Sequence, residues 1–151
     1  MKAVRDKNPK FFFSARETKR VVDAIRRAER NTSAEIRVHL KTCFDGDPLA
    51  HASKLFERLG MTHTAHRNGV LILFGVRDRR FAVLGDKGIH EKVGPGFWEG
   101  IAQTMQSHFR EDRFSDGLVE GIREIGTVLS ARFPRARNDR NELPDGLSSS
   151  W

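Results

Sequence analysis

The residues best suited to chemistry in this 151-residue sequence are carboxylates beside glycines and turns. Asp86 stands in Gly85-Asp86-Lys87-Gly88 with Glu91 shortly after it, while Glu35 and Asn68 open two earlier apolar runs. A hard cation such as Ca²⁺ or Mg²⁺ needs several oxygen ligands drawn from separate loops. Asp86, Asn68, Glu91 and Glu35 are one such set, and Asp45, Asp47 and Asp78 are the alternative. Lys87 and Arg67 flank the first set and carry the charge to hold an anion.

Competing readings narrow these sets. Asp47 precedes Pro48 and suits a helix N-cap followed by a first-turn proline, and Asp86 opens a helical turn in the same way. The calcium-loop pattern fails after Asp45-Gly46-Asp47, because Leu49 and Ala50 stand where a ligand and a glycine belong. Covalent phosphoryl chemistry lacks its patterns too. Cys43 has Leu49 rather than Arg six residues on, and Asp45-x-Asp47 is not followed by Thr or Val at the next-but-one position. His63 and His66 are three apart in a polar loop with no second pair, which speaks against zinc.

Local signals place these residues on elements. Ser14 with Glu17 three positions later is a reciprocal capping pattern, and Val21, Val22, Ile25 and Ala28 continue it as a helix over about 15–30. Arg16, Lys19, Arg20, Arg26, Arg27 and Arg30 fall on its opposite face, a candidate surface for an anion or nucleic acid. No aromatic interleaves with them, which argues against nucleic acid. Glu35 to Leu40 alternates as a strand, and a helix over 48–59 ends at Gly60. The apolar runs at 69–76 and 80–85, joined by Arg77-Asp78-Arg79-Arg80, form a hairpin.

Strand, helix, strand in this order implies a right-handed parallel crossover, and the hairpin makes the sheet mixed. A short turn at 89–93 and the Gly94-Pro95-Gly96 break precede a helix bearing Phe97, Trp98, Ile101, Ala102, Met105 and Phe109. Ser115 is expected to cap a last helix with the seam Leu118, Ile122, Ile125, Leu129 and Phe133. His39 is expected on the polar face of its strand. This topology brings the loop 42–47 to the turn 77–80 at one end of the sheet and gathers Glu35, Asn68 and Asp86 at the other.

Composition bounds the rest. With 38% hydrophobic residues, the chain can build one ordinary core. We expect a flexible basic N-terminus over 1–10, a folded domain over 11–134 and a flexible tail over 135–151. No apolar run approaches the ~20 residues of a membrane helix, no signal peptide is legible, and the single Cys43 suits a reducing compartment; a cytoplasmic protein is expected. Residues 1–30 hold ten Lys or Arg against four Asp or Glu, so +6 of the net +7 lies there. An anionic or protein partner would meet that end first.

The segments Thr32-Ser33-Ala34-Glu35-Ile36-Arg37-Val38, Arg67-Asn68-Gly69-Val70-Leu71, Gly85-Asp86-Lys87-Gly88-Ile89 and Phe114-Ser115-Asp116-Gly117-Leu118-Val119-Glu120-Gly121-Ile122, in this order, resemble the TPM domain family over about residues 11–134. The resemblance implies a three-layer α/β/α sandwich with a small mixed sheet of three or four strands. It also implies one of two activities reported among relatives, divalent-cation binding or the acid phosphatase activity of thylakoid proteins tied to photosystem repair. A Ca²⁺- or Mg²⁺-responsive module is the first expectation, and a weak metal-dependent phosphatase the alternative. The chain departs from many members in the loop after the third strand, where they carry Gly-x-Gly-Leu-Glu and a further acid. It also shows neither the signal peptide nor the carboxy-terminal anchor common among them.

Overall fold

The structure, a computed structural model, describes residues 5–135 and 147–150. Ser14 Oγ accepts from the Glu17 amide and Glu17 accepts from the Ser14 amide, so the first helix, α1 (Ala15–Glu29), starts on a complete capping box. Its apolar side buries Val21, Ala24 and Ile25. The chain turns at Thr32, whose Oγ lies 2.6 Å from the Phe133 carbonyl and also accepts from the Ala34 amide. Buried Glu29 accepts from the Ile36 amide and fixes the entry to β1 (Glu35–Lys41).

Asp47 caps α2 (Pro48–Arg58), accepting from the Leu49 amide. The strand β2 (Gly69–Gly75) follows and is buried at every position, as an apolar run covered on both faces must be. Then come β3 (Phe81–Gly85), α3 (Lys87–Val93), α4 (Pro95–Phe109), α5 (Phe114–Arg132) and β4 (Leu147–Ser150). The sheet order is β3-β2-β1-β4, with β1 parallel to both β2 and β4 and β3 antiparallel to β2.

Two apolar layers sandwich the sheet. Ile36, Val38, Leu40, Val70, Ile72 and Phe74 face α1, α4 and α5, while Leu71, Leu73 and Ala82 pack against Ala52 and Phe56 of α2. The three-layer α/β/α architecture expected from the sequence is therefore the one observed, with four strands. The helices α1 and α5 run in the same direction, since Arg20 meets Asp116 and Ala28 meets Gly126. No helix among the described residues is long and apolar enough to cross a membrane.

Four local expectations need correction. The last helix begins at Phe114, one residue before Ser115, and Ser115 is buried with its hydroxyl bound to Glu17 rather than acting as the cap. Gly94 alone separates α3 from α4, because Pro95 occupies the first helical turn where its missing N–H costs nothing. Leu147–Ser150, placed in the loose tail, pairs with β1 as β4. That pairing covers His39, which is 4% exposed rather than on a wet face, with Nδ1 2.6 Å from Ser148 Oγ. The remaining tail positions 136–146 and 151, including Trp151, and the first four residues lie outside the described residues.

Phe74 is fully buried among the rings of Phe12, Phe109 and Phe114. Phe74→Ala should cost about 3–5 kcal/mol in urea denaturation, whereas Phe11→Ala, at a residue 64% exposed, should change stability by less than about 0.5 kcal/mol. Equal effects would contradict this core.

Candidate functional site

The parallel pairing runs from Glu35↔Gly69 to Lys41↔Gly75, and the hairpin pairs Val70 with Gly85. Two rims result, each collecting loops that are far apart in the sequence.

The rim at the amino ends of β1 and β2 holds the first candidate set. Asp86 is 6% exposed, and both its oxygens are engaged. Arg67 Nε and Nη2 donate to Oδ2 and Oδ1 at 2.6 and 2.8 Å, and the Lys87 amide donates to Oδ1 as the cap of α3. The bidentate pair raises the pKa of Arg67 and holds that residue at φ 49°, a left-handed backbone uncommon outside glycine. Asn68 is buried, its side-chain amide donating to Ser33 Oγ and its backbone N–H donating to Thr64 Oγ1. Glu35 is buried at the start of β1, whereas Glu91 and Lys87 are exposed on α3. The rim thus brings Asp86 and Arg67 together as an ion pair. A cation at Asp86 would have to displace a guanidinium, and an anion at Arg67 a carboxylate.

At the carboxyl ends of β1 and β2 the second set lies on a differently built rim. Asp78 joins the loop to the hairpin turn, accepting from the Phe44 amide on Oδ2 and the Arg80 amide on Oδ1. Gly75 permits this, because a Cβ there would collide with Asp78 Oδ1 and approach the Phe44 ring to 2.9 Å. The guanidinium of Arg80 reaches two backbone carbonyls of the loop, Phe44 O and Gly46 O, and His51 Nε2 lies 2.6 Å from Asp45 O. Asp45 and Asp47 are exposed on either side of Gly46. Asp47 uses one oxygen as helix cap, and the Asp45 carboxylate makes no hydrogen bond among the described residues. Sequence spacing identified the acids here but not the carbonyls, since backbone oxygens leave no residue-type signal.

A third cluster escaped the sequence reading. Arg5 donates through two nitrogens to Glu17 at 2.8 and 2.7 Å, Ser115 Oγ lies 3.3 Å from the same carboxylate, and Arg20 reaches Ser115 and Asp116. Glu17 reads as a capping residue in sequence, which conceals its second role. Its pKa falls to about 2, chiefly through the hydrogen bonds from Arg5. Arg79, at φ 60°, lies 4.4 Å over the Phe114 ring, and Arg5 approaches that ring at 5.5 Å.

No three His, Cys, Asp or Glu side chains converge as a metal cage among the described residues. His63 and His66 are exposed in the loop before β2. The six cations of α1, Arg16, Lys19, Arg20, Arg26, Arg27 and Arg30, are all exposed, with Lys19 bound to Asp23 and Arg20 to Asp116.

A mixed four-stranded sheet with α1, α3, α4 and α5 packed on one face and α2 on the other, and loops meeting at both strand ends, defines a small α/β/α sandwich domain. The chain belongs to the TPM domain family, whose model matches residues 8–128. It is similar to the BA42 protein of the psychrophilic bacterium Bizionia argentinensis, solved by NMR, at 41% identity over 96% of this chain and 100% of that one, with a TM-score of 0.89. Two more distant NMR structures share the fold. The N-terminal domain of a P. gingivalis protein has 23% identity over 80% of this chain and 78% of its own, with a TM-score of 0.64. The N-terminal domain of the cg2496 protein of Corynebacterium glutamicum has 11% identity over 97% and 93%, with a TM-score of 0.63. No curated protein matches the chain.

Two pH effects follow. The folded pKa of Glu17 lies below its unfolded value of 4.5, so its contribution is complete above about pH 4.5 and is lost as pH falls toward about 2. Glu17→Gln should flatten the stability profile in that window, which denaturation between pH 2 and 5 will show. Burial lowers His39 from 6.5 to about 4. Its neutral form therefore supports the fold fully above about pH 6.5 and loses that support as pH falls through about 4. In His39→Phe the stability loss between pH 6.5 and 4 should shrink, and an unchanged slope would contradict this assignment.

Proposed function

We propose that this TPM domain is a weak divalent-cation-binding module, and that its cation site is the loop 44–47 at the carboxyl ends of β1 and β2 rather than Asp86. One observation carries the reading: the carbonyls of Phe44 and Gly46 point at a single cationic head, that of Arg80. Ca²⁺ takes six to eight oxygens and accepts backbone carbonyls alongside carboxylates. The exposed carboxylates of Asp45 and Asp47 alternate along the chain with those carbonyls, and Asp78 holds the loop in place through the Phe44 amide. Carboxyl ends of parallel strands are also where open α/β sheets place their ligands.

In this reading Arg80 is the resident cation, and a divalent ion competes with it for the same oxygens. The mixed shell of two carboxylates and backbone carbonyls on a protein of net charge +7 puts the affinity in the weak range, about 10⁻⁴–10⁻³ M. The resemblance to a family with divalent-cation binders supports the same reading. The phosphatase alternative has no comparable support, because Arg67, its candidate phosphate holder, is bound to Asp86.

Calcium titration of ¹⁵N-labelled protein to about 10 mM, above the range of weak sites, should shift amides 44–47 and 78–80 saturably. Arg80→Ala should bind calcium several-fold more tightly, because the competitor is gone. Asp45→Asn with Asp47→Asn should abolish binding while keeping the helix cap, since Asn caps as well as Asp. Asp86→Ala should cost about 1–2 kcal/mol of stability through its lost cap and ion pair and leave calcium affinity unchanged. Shifts centred on residues 86–91, or no saturable shift, would overturn the proposal.

A further inference from the structure

The outer faces of α1 and α5 form a second surface, independent of either rim. Along α1, Arg16, Arg20, Arg27 and Arg30 recur at helical spacing and project as one stripe, over a helix about 22 Å long. Arg16, Arg26, Arg27 and Arg30 make no hydrogen bond or ion pair among the described residues. Between this stripe and α5 runs a groove of about 230 Å³, lined by Ala24, Ala28, Val119 and Gly126 and edged by Arg27, Asn31, Arg123, Thr127 and Ser130. A Cβ on Gly126 would come within 2.7 Å of the Ala28 Cβ, so the two backbones pack closely and small residues floor the groove.

We infer that this groove docks an extended acidic peptide segment of a partner protein. Three features select that occupant. The guanidinium of Arg27, which makes no hydrogen bond or ion pair among the described residues, suits a carboxylate. Arg123 across the groove is paired with Glu120 and Arg20 with Asp116, so Arg16 and Arg30 are the stripe residues that extend uncompensated charge beyond the groove. The small apolar floor accepts an aliphatic side chain. The hydroxyls of Thr127 and Ser130 already donate to the carbonyls of Arg123 and Thr127, so they offer only lone pairs, which match the backbone N–H groups of a peptide and not the phosphodiesters of nucleic acid. Among the described residues the exposed large apolar side chains, Phe11 and Leu49, both lie outside the groove, so its described lining presents neither a stacking platform nor a membrane wedge.

The test uses a fluorescein-labelled peptide of alternating Asp and Leu, measured by anisotropy in EDTA so that cation binding plays no part. Saturable binding that weakens with salt is expected, falling at least tenfold in Arg27→Glu with Arg123→Glu. Thr127→Trp, which fills the groove and leaves every charge in place, should weaken binding as well. Arg58→Glu, on the exposed side of α2 in the opposite layer, should leave it unchanged. Equal losses from Arg58→Glu would overturn the proposal by showing unspecific charge attraction. So would binding indifferent to Thr127→Trp, or tighter binding of single-stranded oligonucleotide or anionic vesicles.

Discussion

The parallel pairing of β1 with β2 is the constraint on which the rest depends. Seven consecutive residue pairs from Glu35↔Gly69 to Lys41↔Gly75 put two sequence-distant strands in one register, and a slip of one residue would turn every side chain to the wrong face. That cannot happen cheaply here. The residues of β2 are buried on both sides, with Val70, Ile72 and Phe74 in one layer and Leu71 and Leu73 in the other.

From that register the two rims follow, and they differ in electrostatic character. At one, Asp86 and Arg67 neutralise each other and tie the start of α3 to the start of β2. The other has loop carbonyls facing Arg80, with two carboxylates left exposed. An ion pair between one buried acid and one guanidinium is a joint, because both charges are satisfied where they stand. Carbonyls gathered round a cationic side chain are exchangeable, because solvent can take up the displaced guanidinium. This difference moves the cation reading from the end preferred on sequence grounds to the opposite end.

Much of the fold was legible because its signals are local. The capping box at Ser14 and Glu17, the alternation of β1, the Asp47-Pro48 helix start and the seam of α5 each lie within a few residues of one another. What escaped was built from pairs distant in sequence. Nothing in Glu17 announces Arg5 or Ser115, and nothing in Asp86 announces that Arg67 will fold back upon it. The short polar strand Leu147–Ser150 has too little apolar content to be read as a strand, and its register is supplied by β1 and by Ser148 meeting His39 and Arg37. Carbonyl sites are illegible in principle, since every residue carries the same oxygen.

The most direct measurement is paramagnetic broadening by Mn²⁺, which substitutes for oxygen-liganded divalent ions and reports proximity without requiring a conformational response. The account predicts that substoichiometric Mn²⁺ erases the amide signals of residues 44–47 and 78–80 first, while those of residues 86–91 at the opposite rim persist. Preferential loss at residues 86–91, or uniform loss across the protein, would contradict it.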